Sequence, residues 1–202
     1  MSPRRVDTTA RRAEILDAAV RVFARKGFAA SRVEDIAAAA GIAKGSVYLA
    51  FDSREDILRA IFEDFAERTA AGMRRARTAE GPALDRLAEL IRSTFVLLTE
   101  ERETARILFD LWSVGRGGDS AAPLDMARVY GEYRAAVTDL LTAAAAEGDL
   151  RPGVGPGHAT AVVGVIEGCL LQCLIDPALP VEGLADTIVD LCVHGLRREV
   201  PA

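Results

Sequence analysis

A single glycine, Gly41, separates two short helical segments and constrains how the N-terminal part of the chain can fold. Before it, SRVEDIAAAA has apolar residues at helical spacing. After it, AKGSVYLAF begins a second short helix almost at once. Because glycine tolerates a positive φ, it can end one helix and turn the chain tightly into the next. The pattern predicts a helix-turn-helix.

The first of these short helices also carries a start signal. Ser31 and Glu34 have the spacing of a capping box, in which the Ser31 hydroxyl accepts from a helical amide and Glu34 accepts from the Ser31 amide. Ala37 and Ala40 are small, as the close crossing of two helices requires. A longer helix that ends near Gly27 precedes the motif, so we predict three helices in this region.

The rest of the chain also has helical periodicity and no strand-like alternation. Half of the residues are hydrophobic and only 5% are aromatic, which favours helix over sheet. We predict an all-α protein with a three-helix helix-turn-helix domain at 1–54. A larger helical domain follows at 55–202, and a fourth helix at about 53–77 connects the two.

Charge is distributed unevenly along the sequence. Residues 1–54 contain ten Arg or Lys and six Asp or Glu, a net charge of +4, so the remainder carries -9 of the total of -5. A basic N-terminal region on an acidic body suggests that this end binds a polyanion. It also argues against an architectural protein that coats DNA without sequence preference, because such proteins need distributed positive charge.

The second short helix has the residues that a DNA contact needs. Gly45 and Ser46 are small enough for the helix backbone to approach a major groove closely. Lys44 supplies a cation, and Ser46 and Tyr48 supply hydroxyl groups for phosphates or base edges. A hydrophobic core does not explain these polar and small residues, because Val47 and Phe51 are the residues of this segment that have the spacing of a buried face.

In ILDAAVRVFARKGF, SRVEDIAAAAGIAKGSVYLAF and DSREDILRAIFE, over about residues 11–64, the chain resembles the TetR family of bacterial regulators. The family often has a histidine and a second aromatic residue between the tyrosine and the phenylalanine, where this chain has Leu49 and Ala50. This difference affects which base sequence the helix would bind and leaves the prediction of DNA binding unchanged. By resemblance, the DNA-facing residues are Arg32, Ala43, Lys44, Gly45, Ser46, Tyr48, Leu49 and Arg54.

The resemblance also implies that 1–54 is a DNA-binding domain and that 55–202 is a ligand-binding and dimerisation domain. It implies a homodimer that binds a palindromic operator in double-stranded DNA, usually as a repressor. The helix around residues 158–175 is apolar on nearly all sides, so we expect it to be buried on all sides, partly by a second copy. A purely internal core is the alternative. The candidates for the dimer interface are Val162, Val165, Ile166, Leu170, Leu184, Ile188 and Leu191.

A small-molecule effector is a further implication of the resemblance. Its binding would displace the fourth helix, change the separation of the two DNA-binding regions and lower operator affinity. Polar and aromatic groups set in apolar helices are candidate pocket residues, although ordinary packing or exposure is the alternative for each. They are Phe95, Phe109, Trp112, Tyr130, Tyr133, His158, Glu167 and Gln172.

The sequence offers little for other classes of function. Cys169, Cys173 and Cys192 form no CxxC pair, and we interpret them as small buried hydrophobic residues. We expect no metal, no cofactor and no membrane span. We also expect a cytoplasmic location, because the N-terminal stretch lacks the apolar core of a signal peptide. A small enzyme using Glu167 with His158 or His194 is a further alternative, but no nucleophile or phosphate-loop motif supports it, and we expect no enzyme.

Overall fold

A computed structural model describes residues 8–114 and 126–198, excluding the side chains of 111–114. Within these ranges there is no β-strand, and an isolated antiparallel bridge joins Leu150 to Arg197. The all-α prediction is therefore confirmed. The helices are α1 Thr8–Lys26, α2 Val33–Ala40, α3 Lys44–Tyr48, α4 Arg54–Thr78, α5 Ala83–Glu100, α6 Arg102–Val114, α7 Met126–Glu147, α8 Pro156–Ile175 and α9 Leu184–Val189, followed by a π-helical turn at Asp190–His194.

The described residues form two compact units, and the first contains 8–65 and 102–114. We call it the N-terminal unit. Its core is built from the apolar faces of α1 to α4, and Ile107 of α6 is buried in the same core. The sequence did not indicate that α6, which lies far along the chain, would join this unit. The large core side chains include Phe23, Ile36, Val47, Phe51, Ile57, Leu58 and Phe62.

The second unit, called the C-terminal unit, contains residues 66–101 and 126–198. Helix α5 lies against α7, α8 and α9, and apolar side chains from all four helices form the core. None of the three cysteines is in a disulfide: Cys173 and Cys192 are buried and Cys169 is half-buried. Burial raises the pKa of Cys169 and Cys192, in keeping with their interpretation as small apolar residues.

The boundary between the two compact units falls after residue 65, within α4, the helix predicted to connect the two domains. The reason is packing. Ile57, Leu58 and Phe62 in the first turns of α4 are buried in the core of the N-terminal unit. Met73 near the other end of α4 is buried in the core of the C-terminal unit. The helix itself, at Arg54–Thr78, lies close to its predicted bounds.

Among the described helices, α8 alone is long and apolar enough to span a membrane by length and composition. This is weak grounds for a membrane span, because a core helix of a soluble protein passes the same test. Ala159, Val162, Val163 and Ile166 of α8 are buried in the core of the C-terminal unit. The apolar character of this side of α8 is therefore explained by packing within the protein.

Candidate functional site

The turn between α2 and α3 has the geometry that the sequence predicts. Gly41 has φ 66° and ψ 31°, in the left-handed region, and its amide donates to the Ala38 carbonyl at 3.2 Å. The Ile42 amide donates to the Ala37 carbonyl at 3.0 Å. These two bonds satisfy carbonyls at the end of α2 that have no partner within the helix. Helix α3 then begins three residues after Gly41.

The predicted capping box at Ser31 and Glu34 is wrong by one residue. Arg32 precedes α2, and the Asp35 carboxylate accepts from the Arg32 amide at 3.0 Å. Ser31 is buried, and its hydroxyl donates instead to the Gly27 carbonyl at 2.6 Å. A spacing of three residues is found both for Ser31 with Glu34 and for Arg32 with Asp35. Because Ser31 is buried and bonded to the preceding turn, the second pair forms the capping box.

Helix α3 directs its polar residues outward. Val47 and, just beyond the helix, Phe51 are buried, whereas Tyr48 is 46% exposed and Leu49 is 88% exposed. Of the eight residues predicted to face DNA, Arg32, Ala43, Lys44 and Gly45 are also exposed, and Ser46 and Arg54 are half-buried. A Cβ atom added to Gly45 would have no neighbouring atom within 4 Å. The fold therefore does not require glycine there, which leaves close approach by a ligand as a reason for it.

A surface ion pair joins the two helices of the motif. The Lys44 ammonium donates to a Glu34 carboxylate oxygen at 2.5 Å, and it lies 5.6 Å from the centre of the Tyr48 ring. This hydrogen bond lowers the pKa of Glu34 and raises the pKa of Lys44, so both side chains are charged at neutral pH. Any anion that binds Lys44 must compete with Glu34.

Arg54 fixes the segment just before α2, at the start of the helix-turn-helix. Arg54 donates to the carbonyls of Phe28, Ala29 and Ser31 at 2.9, 3.3 and 2.7 Å, and its guanidinium lies 4.2 Å from the centre of the Phe28 ring. Arg54 therefore has a structural role that the sequence did not indicate, and its predicted DNA contact stays a prediction.

Arg12 contacts the residues just after α3, at the end of the helix-turn-helix. It donates to the Ala50 carbonyl at 3.0 Å, and its guanidinium lies 4.0 Å from the centre of the Phe51 ring. Sequence reasoning missed Arg12 because its partners lie 38 and 39 positions further along the chain.

The candidate effector residues do not all lie together. In the C-terminal unit, Tyr130 of α7 donates to the Glu167 carboxylate of α8, and Tyr133 of α7 donates to Thr94 of α5 at 2.5 Å. Burial is the main cause that raises the pKa of both tyrosines, and the hydrogen bond from Tyr130 to Glu167 raises that of Tyr130 further. Phe95 is buried in the core of the same unit. These helices therefore carry two polar pairs within a largely apolar environment.

The other four pocket candidates take no part in these two pairs. Phe109 belongs to the N-terminal unit, and the side chain of Trp112 lies outside the described residues. Gln172 is exposed and donates to the Gly168 carbonyl of its own helix at 3.3 Å. His158 accepts from the Gly155 amide at 3.1 Å, in the first turn of α8. Gln172 is thus bonded within its own helix, and His158 also contacts Arg151 at 3.4 Å.

Four of the predicted dimer-interface residues are buried within a single chain. Val162, Ile166 and Ile188 lie in the core of the C-terminal unit, and Leu170 is also buried. A helix that is apolar on all sides does not reveal from its sequence which side faces its own core, and the role of these residues in a dimer stays a prediction. Of the others, Val165 and Leu184 are half-buried and Leu191 is 68% exposed.

A different stripe of α8 is apolar and accessible. Its residues recur at intervals of three and four, so they lie along one side of the helix, opposite the buried side. Ile175 is 73% exposed, and Gly164 and Gly168 would admit a Cβ atom without any neighbour within 4 Å. The stripe, called the outer stripe of α8, consists of Ala161, Gly164, Gly168, Leu171 and Ile175.

The residues of the alternative enzyme site are bonded to different partners. Glu167 accepts from Tyr130, whereas His158 contacts Gly155 and His194 contacts Asp190 at 2.5 Å. In the part of the chain that the structure describes, no group of three His, Cys, Asp or Glu side chains could hold a metal ion.

Comparison with known proteins identifies similar sequences at both ends of the chain. Residues 15–61 match the family profile for bacterial regulatory proteins of the tetR family. Residues 83–198, more than half of the chain, match the profile for the C-terminal part of BetI-type transcriptional repressors. Both profiles describe regulators of transcription.

Individual relatives agree with these profiles. The fatty acid metabolism regulator protein of Bacillus subtilis is 38% identical over 96 residues, which are 46% of this chain and 47% of that relative, so the match spans about half its length. The nicotine-responsive transcriptional repressor HdnoR of Paenarthrobacter nicotinovorans is 25% identical over 92% of this chain and 95% of its own. The crystal structure of FadR from Bacillus subtilis in complex with stearoyl-CoA has a TM-score of 0.74 at 25% identity, covering 91% of this chain and 98% of that chain.

Proposed function

Because the chain belongs to the TetR family of bacterial regulatory proteins, we propose that it is a cytoplasmic, dimeric transcriptional repressor. It binds a palindromic operator in double-stranded DNA and is released by a small-molecule effector. The observation that carries the DNA-binding part of the proposal is the outward face of α3. There Lys44, Gly45 and Tyr48 are exposed, while Val47 anchors the helix to the core.

This face suits a major groove, which admits one α-helix. Lys44 and the Tyr48 hydroxyl can bind phosphates or base edges at the sides of the groove. Gly45 lets the helix backbone come close, because no side chain separates it from the DNA. The Arg12 and Arg54 contacts hold α3 at a fixed angle to the rest of the N-terminal unit, so little order has to be gained on binding.

The test of the DNA-binding site combines Lys44→Ala with Tyr48→Ala. Both side chains are exposed, so the double variant keeps its helicity and its oligomeric state but loses operator binding in a gel-shift titration. The matched control is Arg128→Ala, which removes an exposed cation paired within α7. Operator affinity that survives in the double variant would refute the assigned site.

Sequence preference separates this proposal from non-specific DNA coating. Selection of bound duplexes from random DNA should enrich one palindrome, and footprinting on it should give a single protected site. Affinity should fall by about 10³-fold or more between about 50 and 200 mM salt if the dimer neutralises about six or more phosphates. Uniform protection along the DNA would favour the coating protein instead.

Dimerisation follows from the proposed palindrome, since helix-turn-helix proteins bind two half-sites about one helical turn apart. The outer stripe of α8 is the surface we propose for it, together with the exposed Leu191. Gly164 and Gly168 let a partner helix approach the backbone closely, while Leu171 and Ile175 contribute apolar area. Without a partner, Leu171, Ile175 and Leu191 would expose their apolar surface to water.

Leu171→Glu tests the dimer surface. It places a charge on the outer stripe of α8, where burial by a partner would be costly, so sedimentation should report a monomer with weak operator binding. The matched control is Val96→Glu, the same kind of change at an exposed apolar residue of α5. A dimer that persists in Leu171→Glu but dissociates in Val96→Glu would contradict the assignment.

The effector is proposed to bind the C-terminal unit near the Tyr130–Glu167 and Tyr133–Thr94 pairs. Relatives are named for responses to, or complexes with, compounds as different as nicotine and stearoyl-CoA. What these two share is a substantial apolar part, which suits helices whose other side chains are apolar. Release from DNA requires that the effector bind the DNA-free conformation more tightly than the DNA-bound one.

A screen for compounds that release the operator tests this part of the proposal. It includes stearoyl-CoA and nicotine and reads the fluorescence anisotropy of labelled operator. Glu167→Gln should shift the effective concentration of a releasing compound while leaving operator affinity unchanged. Glu132→Gln, which removes an exposed carboxylate from α7, is the control. If Glu167→Gln and the control respond alike to every releasing compound, the assigned effector site is wrong.

A further inference from the structure

Leu49 is the most exposed large apolar side chain among the described residues of the N-terminal unit, at 88% exposure. It directly follows α3 and has nearly helical dihedral angles, φ -74° and ψ -18°. Its amide donates to the Gly45 carbonyl at 3.1 Å, so the residue continues the helix by one position. Leu49 is absent from the core and from the partly buried residues packed against it. Folding therefore does not explain why leucine occupies this position.

The position of Leu49 on the helix is informative. Val47 and Phe51 mark the side of α3 that faces the core. Leu49 is two residues from each of them, which corresponds to a rotation of about 200° around a helix. It therefore lies on the opposite, outermost side. Gly45, one turn earlier, shares that side and has open space where a side chain would be.

The outermost line of α3 is thus bare backbone at Gly45 followed by a branched apolar group at Leu49. Two exposed polar residues flank this line: Lys44 precedes Gly45 by one position, and Tyr48 precedes Leu49 by one position. Both therefore lie on the same side of it. When such a helix enters a major groove, the outermost line faces the base edges and the flanking polar groups face the backbone. Among the base edges in the major groove, the apolar group is the 5-methyl of thymine.

We infer that Leu49 reads the 5-methyl group of a thymine in each operator half-site. The inference rests on the proposed DNA-binding function and adds a specificity determinant to it. An apolar side chain cannot satisfy the donors and acceptors of the other base edges, so placing Leu49 against them leaves polar groups without partners. Against a thymine methyl, both groups lose apolar surface to water, which favours that base.

Replacement of thymine by deoxyuridine isolates this contact, because it removes the methyl group and preserves base pairing. The operator is first selected from random duplex DNA with the full-length chain. Each thymine is then replaced singly by deoxyuridine, and affinity is measured by fluorescence anisotropy. For the wild type, one thymine per half-site should weaken binding by about fourfold when replaced, the equivalent of about 0.8 kcal/mol. Replacement in both half-sites should weaken it by about 16-fold.

Leu49→Ala assigns the effect to this residue. The variant should bind thymine and deoxyuridine duplexes equally, and Leu49→Met, which keeps an apolar side chain of similar size, should retain a preference for thymine. Because Leu49 is exposed, Leu49→Ala should unfold at the same urea concentration as the wild type. A thymine elsewhere in the operator serves as the control position.

Three outcomes separate this inference from the proposed function. A wild type that selects a palindrome but tolerates deoxyuridine at every position overturns the inference and leaves the function intact. Methyl sensitivity that persists unchanged in Leu49→Ala also overturns it, because another residue then reads the methyl. A chain that selects no duplex refutes the proposed DNA-binding function and the inference with it.

Discussion

Replacement of Arg54 by alanine should destabilise the N-terminal unit far more than loss of an ordinary surface arginine. One of its guanidinium nitrogens donates to three backbone carbonyls, those of Phe28, Ala29 and Ser31. The side chain is only 25% exposed, so water replaces these bonds incompletely. Alanine would therefore leave carbonyls of the turn before α2 poorly satisfied.

The magnitude follows from the geometry. A nitrogen with two hydrogens can make about two good bonds, each worth about 1.5 kcal/mol when the donor is charged. Contact with the Phe28 ring adds about 0.5–1 kcal/mol at this degree of exposure. Allowing for partial replacement by water, we expect a loss of about 3 kcal/mol in the free energy of unfolding. The matched control, Arg59→Ala, removes a more exposed arginine whose 3.2 Å pair with Asp56 should contribute less than about 0.5 kcal/mol.

The assay is urea unfolding followed by circular dichroism at a fixed protomer concentration, since dimerisation contributes to apparent stability. Operator binding is then measured under conditions where the variant is folded. If Arg54→Ala loses less than about 1 kcal/mol and yet binds the operator weakly with a reduced salt dependence, the structural role is refuted. Arg54 would then be a phosphate contact, as the resemblance alone implies.

Three further substitutions separate packing from DNA binding in the turn and α3. Glu34→Gln frees Lys44 from its carboxylate partner, so operator affinity in anisotropy titrations should rise by about two- to fivefold; unchanged affinity would mean that the pair does not compete with DNA. Gly45→Ala should raise the urea midpoint by adding helix propensity where space is open, yet weaken operator binding; unweakened binding would remove the close-approach explanation. Gly41→Ala should cost about 1–2 kcal/mol in urea unfolding because φ is 66° there, and a neutral result would contradict the assigned turn.

Local sequence patterns predicted the parts of the molecule that depend on local physics. Helical periodicity without strand alternation predicted the all-α fold, and Gly41 marked the tight turn, because glycine alone adopts that backbone conformation without strain. The outward direction of Lys44 and Tyr48 followed from the burial of Val47 in the same short helix. These features depend on residues within a few positions of one another.

Tertiary structure decided what depends on distant contacts. The periodicity of α8 could not distinguish the side that packs on α5 and α7 from the outer stripe, because both are apolar, so only the structure shows that Val162 and Ile166 face the core of the unit. Arg12 and Arg54 stabilise the helix-turn-helix through backbone carbonyls and aromatic rings that lie 23 to 39 positions away in the chain. Periodicity reports that a face is buried, whereas the partner of that face is determined by the packing of the whole unit.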